Sequence, residues 1–150
     1  MFKDKTWDQR VRTLGDPAEQ AFELWADKNG LGYSRFGFNR PPFSMAALST
    51  KLKHAPDYVT ADGLYEIQGC GRDGLFKFKH AKLGALREWC EDDDVWLWLW
   101  NQTLDQCVTC HIDVIHRMCW VYDEGYREDG IFDGTKPYSQ ISWDQLITNG

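Results

Sequence analysis

The chain is 150 residues long with a formal net charge of −6, and it is 43% hydrophobic and 27% charged. That length suits one domain with a real core, and the composition is globular rather than disordered. The charge excludes a coat protein held on nucleic acid by phosphate contacts alone, and the longest apolar run, "VWLWLW", is far too short to cross a bilayer.

Met1 to Leu14 is polar and mixed in charge, with no apolar run that would serve as an export signal. Five cysteines, an odd number, are then expected to be reduced thiols, and the expected setting is the cytoplasm. "LGDPAEQAFELWADKNGLG" predicts a helix. Asp16 suits its cap, Pro17 its first position and Glu19 a capping box, while Ala18, Ala21, Phe22 and Trp25 form an apolar stripe and Gly30 the stop. "YSRFGF" reads as a short strand, and Arg40 to Lys53 as a loop that orders around a ligand.

"PDYVT" and "LYEIQG" predict two strands of a hairpin turning at Asp62-Gly63. Leu75 to Glu91 is expected to be helical, with Phe76, Lys79, Leu83, Leu86 and Cys90 on one stripe. "VWLWLW" is apolar on both faces, as a covered central strand should be. Its three tryptophans at 96, 98 and 100 share one face, suited to packing under a helix or, alternatively, to a dimer surface. "QCVTCHIDVI" reads as a further strand. Ser142 and Gln145 form a capping box for a short final helix. No linker divides the chain. The order predicts an α/β fold, one mixed sheet flanked by helices (αβββαβ), in a single domain with a core of about 15–100 and a C-terminal extension, 101–150.

Asp57 and Glu66 stand in the hairpin strands, where acidic residues are disfavoured. Placed side by side they would repel and raise each other's pKa; a divalent cation removes the conflict, and hard oxygen ligands select Mg2+ or Mn2+. The backbone carbonyl of Ile67 is a third donor. Such a metal suits the cutting of a phosphodiester.

"PDYVTADGLYEIQG" resembles the core of the PD-(D/E)xK nuclease superfamily, with Pro56-Asp57 as "PD" and Glu66-Ile67-Gln68 as "ExQ". It is most similar in look to the small Holliday junction resolvases and phage junction-resolving endonucleases. Those proteins carry a glutamate on the first helix, matched here by Glu19, eleven residues before Gly30. The resemblance implies a restriction-endonuclease-like fold and a Mg2+- or Mn2+-dependent deoxyribonuclease. It implies metal ligands Asp57, Glu66, Ile67 and Glu19, branched or duplex DNA as substrate, a homodimer, and a phage or prophage recombination role. It covers about Gly15 to Trp100 and finds no counterpart for the tail.

Gln68 departs from the pattern, which usually has Lys there to act on the attacking water. Gln68 itself, with Lys79 or Lys82 from the following helix, is expected to fill that role, Lys79 being preferred. Arg72, Lys77, Lys79, Lys82 and Arg87 form an expected phosphate-contacting edge. Two rivals stand beside the nuclease. One is a binding module of the same fold without activity. The other is a structural zinc protein using Cys107, Cys110, His116 and Cys119, whose spacing departs from the usual zinc knuckle. "CVTCH" matches the haem-attachment pattern in letters and is set aside for want of an export signal.

Overall fold

The computed structural model describes residues 7–37 and 49–149, with side chains described from Pro17 onward. Helix α1 runs from Trp7 to Lys28 and contains Pro17 in its interior, so Asp16 is not its cap. The helix begins well before the residues that carry its start signal, and the proline simply forgoes one ladder bond. Gly30, at φ +68, ends it as expected, with Leu31 N–H donating to the Ala26 carbonyl at 2.9 Å.

A five-stranded sheet follows in the order β1-β2-β3-β5-β6: Tyr33–Arg35, Tyr58–Thr60, Gly63–Cys70, Val95–Asn101 and Gln106–His111. β3 and β5 are parallel; the other neighbours are antiparallel. "VWLWLW" is thus a central strand, flanked on both sides. The β2–β3 hairpin turns at Ala61 and Asp62, one residue earlier than expected, and Gly63 opens β3 at φ +124. A Cβ on Gly63 would lie 2.5 Å from the Asp94 carbonyl oxygen, so only glycine fits.

Each face of this sheet has its own core. On one side Phe22 and Ala26 of α1 pack on Tyr58, Tyr65, Ile67 and Trp98. Its rings meet tilted or edge-on, with Phe22 4.7 Å from Tyr58 and 5.6 Å from Trp98 between ring centroids. Burying a side chain such as Phe22, fully enclosed, contributes about 1.5–3 kcal/mol. The tryptophan face of β5 is therefore largely covered by α1. On the other side Leu64, Val95, Leu97, Leu99 and Cys110 meet helix α3, His80–Trp89, and helix α4, Ile112–Cys119.

Two segments depart from expectation. Leu75–Lys79 is strand β4, not the start of a helix, because Phe76 and Phe78 are buried on one side while the lysines alternate outward. β4 pairs with β10, Lys136–Ser142, which also pairs with β9, Gly130–Phe132, in a second sheet. The strand expected through Ile115 stops at His111, whose ring accepts from Asp113 N–H and caps α4. Short strands β7, Trp120–Val121, and β8, Gly125–Tyr126, form a separate ribbon. The Ser142–Gln145 capping box forms reciprocally at 2.8 and 3.1 Å and starts helix α5, Trp143–Asn149. Between β1 and β2, Thr50–Lys53 forms a helical turn, α2, within the expected loop, whose residues 40–48 lie outside those described. Among the described residues no helix is long and apolar enough to cross a membrane.

Candidate active site

Strand β3 outruns its partner β2. Pairing covers Gly63 to Leu64 and Tyr65, opposite Thr60 to Tyr58, and leaves Glu66–Cys70 with a free edge on that side. The register carried one step further sets Asp57 opposite Glu66, and directly opposed residues project to the same face. Asp57 is fixed there twice. Its carbonyl accepts from Phe36 N–H at 2.8 Å, and its Oδ2 accepts from Ile67 N–H at 2.9 Å. The chain passing at Gly37 comes so close that a Cβ there would lie 2.6 Å from the Pro56 carbonyl oxygen. The Ile67 carbonyl, on the same strand edge as its N–H, faces the Asp57 side.

Glu66 is 2% exposed and is held by the ammonium of Lys82, from the first turn of α3. An unpaired carboxylate at such depth would be costly; the lysine compensates it. Among the described residues no cation is paired with Asp57 in this way. Burial, with the neighbouring Glu66 charge, pushes its carboxyl up to about 8, against smaller opposing contributions from Lys82 and the Ile67 N–H. The Lys82 ammonium is itself held above its usual value: burial works against the charge, but Glu66 and Asp57 together outweigh it. The three groups open into a cavity of about 530 Å³ that Glu19, Gln68 and Trp100 also line.

Glu19, from α1, reaches the rim of that cavity but is paired with Arg35 at 2.8 Å. Arg35 also donates to the Tyr58 hydroxyl at 3.2 Å, and that hydroxyl donates to Glu23. This Glu19–Arg35–Tyr58–Glu23 network was not anticipated, since nothing in sequence links four residues so far apart. His54 lies outside the cavity's lining. Its Nδ1 is bonded to the Thr50 carbonyl at 3.0 Å, and its pKa is lowered by burial first and by the Lys82 and Lys79 charges after that.

The other expected residues are placed as follows. Gln68 lines the cavity, but its amide donates to the Lys77 carbonyl at 3.1 Å. Lys79 does not line it. As the last residue of β4 it projects with Lys77 onto rings of the second sheet, 5.6 Å from the Phe132 centroid, while Lys77 lies 5.4 Å from that of Tyr138. The structure therefore brings Lys82, not Lys79, to the carboxylates, because the segment taken for a helical stripe is a strand until His80. Nor do the basic residues make one edge. Arg87 lies 3.8 Å from Asp113, and Arg72 lines a separate cavity with Trp143 and Asp144.

The zinc set does not gather. Cys107 pairs across from Trp100 and Cys110 from Leu97, so the two thiols face opposite sides of the sheet. His116 is bonded to the Tyr126 hydroxyl at 2.9 Å, and Cys119 is fully buried. All five cysteines are free thiols.

This architecture has a solved counterpart. The chain superposes on Hjc, a Holliday junction resolvase from Archaeoglobus fulgidus, an archaeal hyperthermophile, with a TM-score of 0.54. The fold is that of the resolvase. The match covers 89% of this chain and 93% of Hjc at 12% sequence identity, and so extends beyond the core of 15–100 into the tail, which was expected to have no counterpart. It is a mixed α/β fold with a central mixed sheet between helices. No protein-family model and no curated protein matches the sequence.

Proposed function

We propose that the protein is a Mg2+- or Mn2+-dependent nuclease that hydrolyses phosphodiester bonds of DNA, acting on branched substrates such as four-way junctions. One observation carries the reading: two carboxylates on adjoining segments, the buried Glu66 on β3 and the partly buried Asp57 just before β2, open into one cavity beside a lysine. The fold shared with a Holliday junction resolvase supports it.

The donor set fits a hard dication. Glu66 and Asp57 offer carboxylate oxygens and Ile67 its carbonyl where Asp57 meets the free edge of β3, and among the described residues a single ammonium leaves the pair short of positive charge. The dication would supply Lewis-acid stabilisation of charge on the phosphate and a more acidic bound water. The protein's own groups do the rest. Asp57, its carboxyl pushed up to about 8 by burial and by the Glu66 charge, would give up a proton in serving as a ligand. Lys82 holds Glu66 in place and, at the cavity, presents the positive charge that faces an entering phosphate, taking the part that the pattern's lysine would play in place of Gln68. Gln68, tied to the Lys77 carbonyl, fixes the wall. Glu19, its carboxylate engaged by Arg35, would support the ligands from the cavity rim. A junction presents two equivalent strands, so the working form is proposed to be a homodimer.

The test is cleavage of a labelled four-way junction and of linear duplex with Mg2+ or Mn2+, wild type beside Asp57→Ala. Metal-dependent nicking of the junction that the substitution abolishes is expected. A wild-type protein that binds the junction but leaves it uncut would favour the inactive binding module.

A further inference from the structure

Away from the cavity, three side chains from separate elements converge. Cys90 follows the last turn of α3, Asp94 precedes β5, and His111 ends β6 and caps α4. One ligand atom from each lies within 4.8 Å of the others, and this is the metal-compatible cluster among the described residues. The Cys90 sulfur is 3.7 Å from His111 Nε2, which is 3.1 Å from Asp94 Oδ1. Around a tetrahedral zinc ion, bonds of about 2.3 Å to sulfur and 2.0 Å to nitrogen or oxygen set neighbouring ligands about 3.5 and 3.3 Å apart. The observed separations lie within a few tenths of an ångström of those values.

We infer that Cys90, Asp94 and His111 form a zinc site, distinct from the proposed Mg2+ site and from the Cys107, Cys110, His116 and Cys119 set. The donor types decide the ion. Thiolate, imidazole and carboxylate together suit borderline-soft Zn2+, whereas Mg2+ prefers oxygen alone.

The surroundings of His111 complete the arrangement. The edge of its ring meets Trp96, with centroids 5.0 Å apart at 88°, which fixes its plane. Nδ1 now accepts from Asp113 N–H at 3.2 Å, so the ring proton sits on Nε2 and is donated to Asp94. On binding, that proton moves to Nδ1, which gives up the Asp113 N–H it now accepts, and the Asp113 carboxylate, 3.7 Å away, lies where it could turn to accept the new Nδ1–H; a carboxylate behind a ligating histidine orients it and raises its basicity. The Cys90 thiol releases its proton to solvent, the one net proton lost. Asp94 is largely exposed, so water takes the fourth position. The ion would tie the end of α3, whose first turn carries Lys82, to the start of β5 and to α4.

The full-length protein, stripped of metal, is titrated with Co2+ and then Zn2+. One equivalent of Co2+ is expected to give a thiolate charge-transfer band with d–d bands of tetrahedral strength, abolished by Zn2+. The bands should be lost in Cys90→Ser, kept in Cys107→Ser, and unaffected by excess Mg2+. In wild type, one equivalent of Zn2+ should protect the Cys90 peptide from alkylation and leave Cys107 reactive. No band at one equivalent, a band that survives Cys90→Ser, or equal alkylation of Cys90 with and without Zn2+ overturns the assignment. None of these readouts depends on DNA cleavage, so this site and the nuclease reading stand or fall separately.

Discussion

Lys82 on helix α3 grips the carboxylate of Glu66, a residue 2% exposed on strand β3, within the cavity that Asp57 shares. The pair sets the electrostatics of the whole site: one carboxylate is compensated, and the other is left to hold a proton or a metal.

Removing the lysine should therefore injure both fold and function. Lys82→Met leaves Glu66 a buried, uncompensated charge and is expected to cost about 3–5 kcal/mol in urea unfolding. Cleavage should fall by about 10²–10⁴-fold under conditions where the variant is folded. Lys79→Met, whose ammonium rests over Phe132, should change stability by less than about 1 kcal/mol and leave cleavage near wild type. Equal losses from the two substitutions would contradict the assignment of Lys82.

The raised carboxyl of Asp57 gives stability a definite pH dependence. Its folded value, about 8, lies above the ordinary 3.8, so between those two values the folded state holds a proton that the unfolded state has released. Stability of the metal-free protein from this group is fully present below about pH 4 and is lost as pH rises through 8, by several kcal/mol in all. Urea midpoints measured in chelator across pH 5 to 8 should fall, and Asp57→Asn should flatten the slope. Mg2+ should restore stability most at the alkaline end, where no proton competes. A midpoint that rises with pH in both proteins would remove this account of Asp57.

Arg35 engages the Glu19 carboxylate, so we propose that Glu19 serves behind the ligands and not as one of them. Glu19→Gln is accordingly expected to weaken Mn2+ binding by about 10–100-fold, as groups behind the ligands do, whereas Asp57→Asn should abolish it. Mn2+ titration followed by electron paramagnetic resonance compares the two. Equal loss in both variants would make Glu19 a ligand in its own right.

Much of this site was legible in the sequence because its signals are local. Asp57 and Glu66 flank a tight turn, so hairpin register alone brings them together. Gly30 and the Ser142–Gln145 box are likewise local signals that formed as expected. What was not legible depends on distant partners. "LFKFK" fits a helical stripe through Phe76 and Lys79 as well as it fits a strand; pairing with β10, some sixty residues later, decides for the strand and turns Lys79 away. The start of α1 was obscured by Pro17, which suits a first turn but is accommodated inside a longer helix. The cysteines at 107 and 110 suggested a metal site in sequence, yet an odd separation along a strand sends them to opposite faces.

The most direct measurement is the anomalous difference map of a crystal soaked in Mn2+. A peak contacted by Asp57, Glu66 and the Ile67 carbonyl, with Lys82 beside Glu66, is the predicted result. An empty cavity at that edge of β3, with Mn2+ bound elsewhere or not at all, would contradict the account.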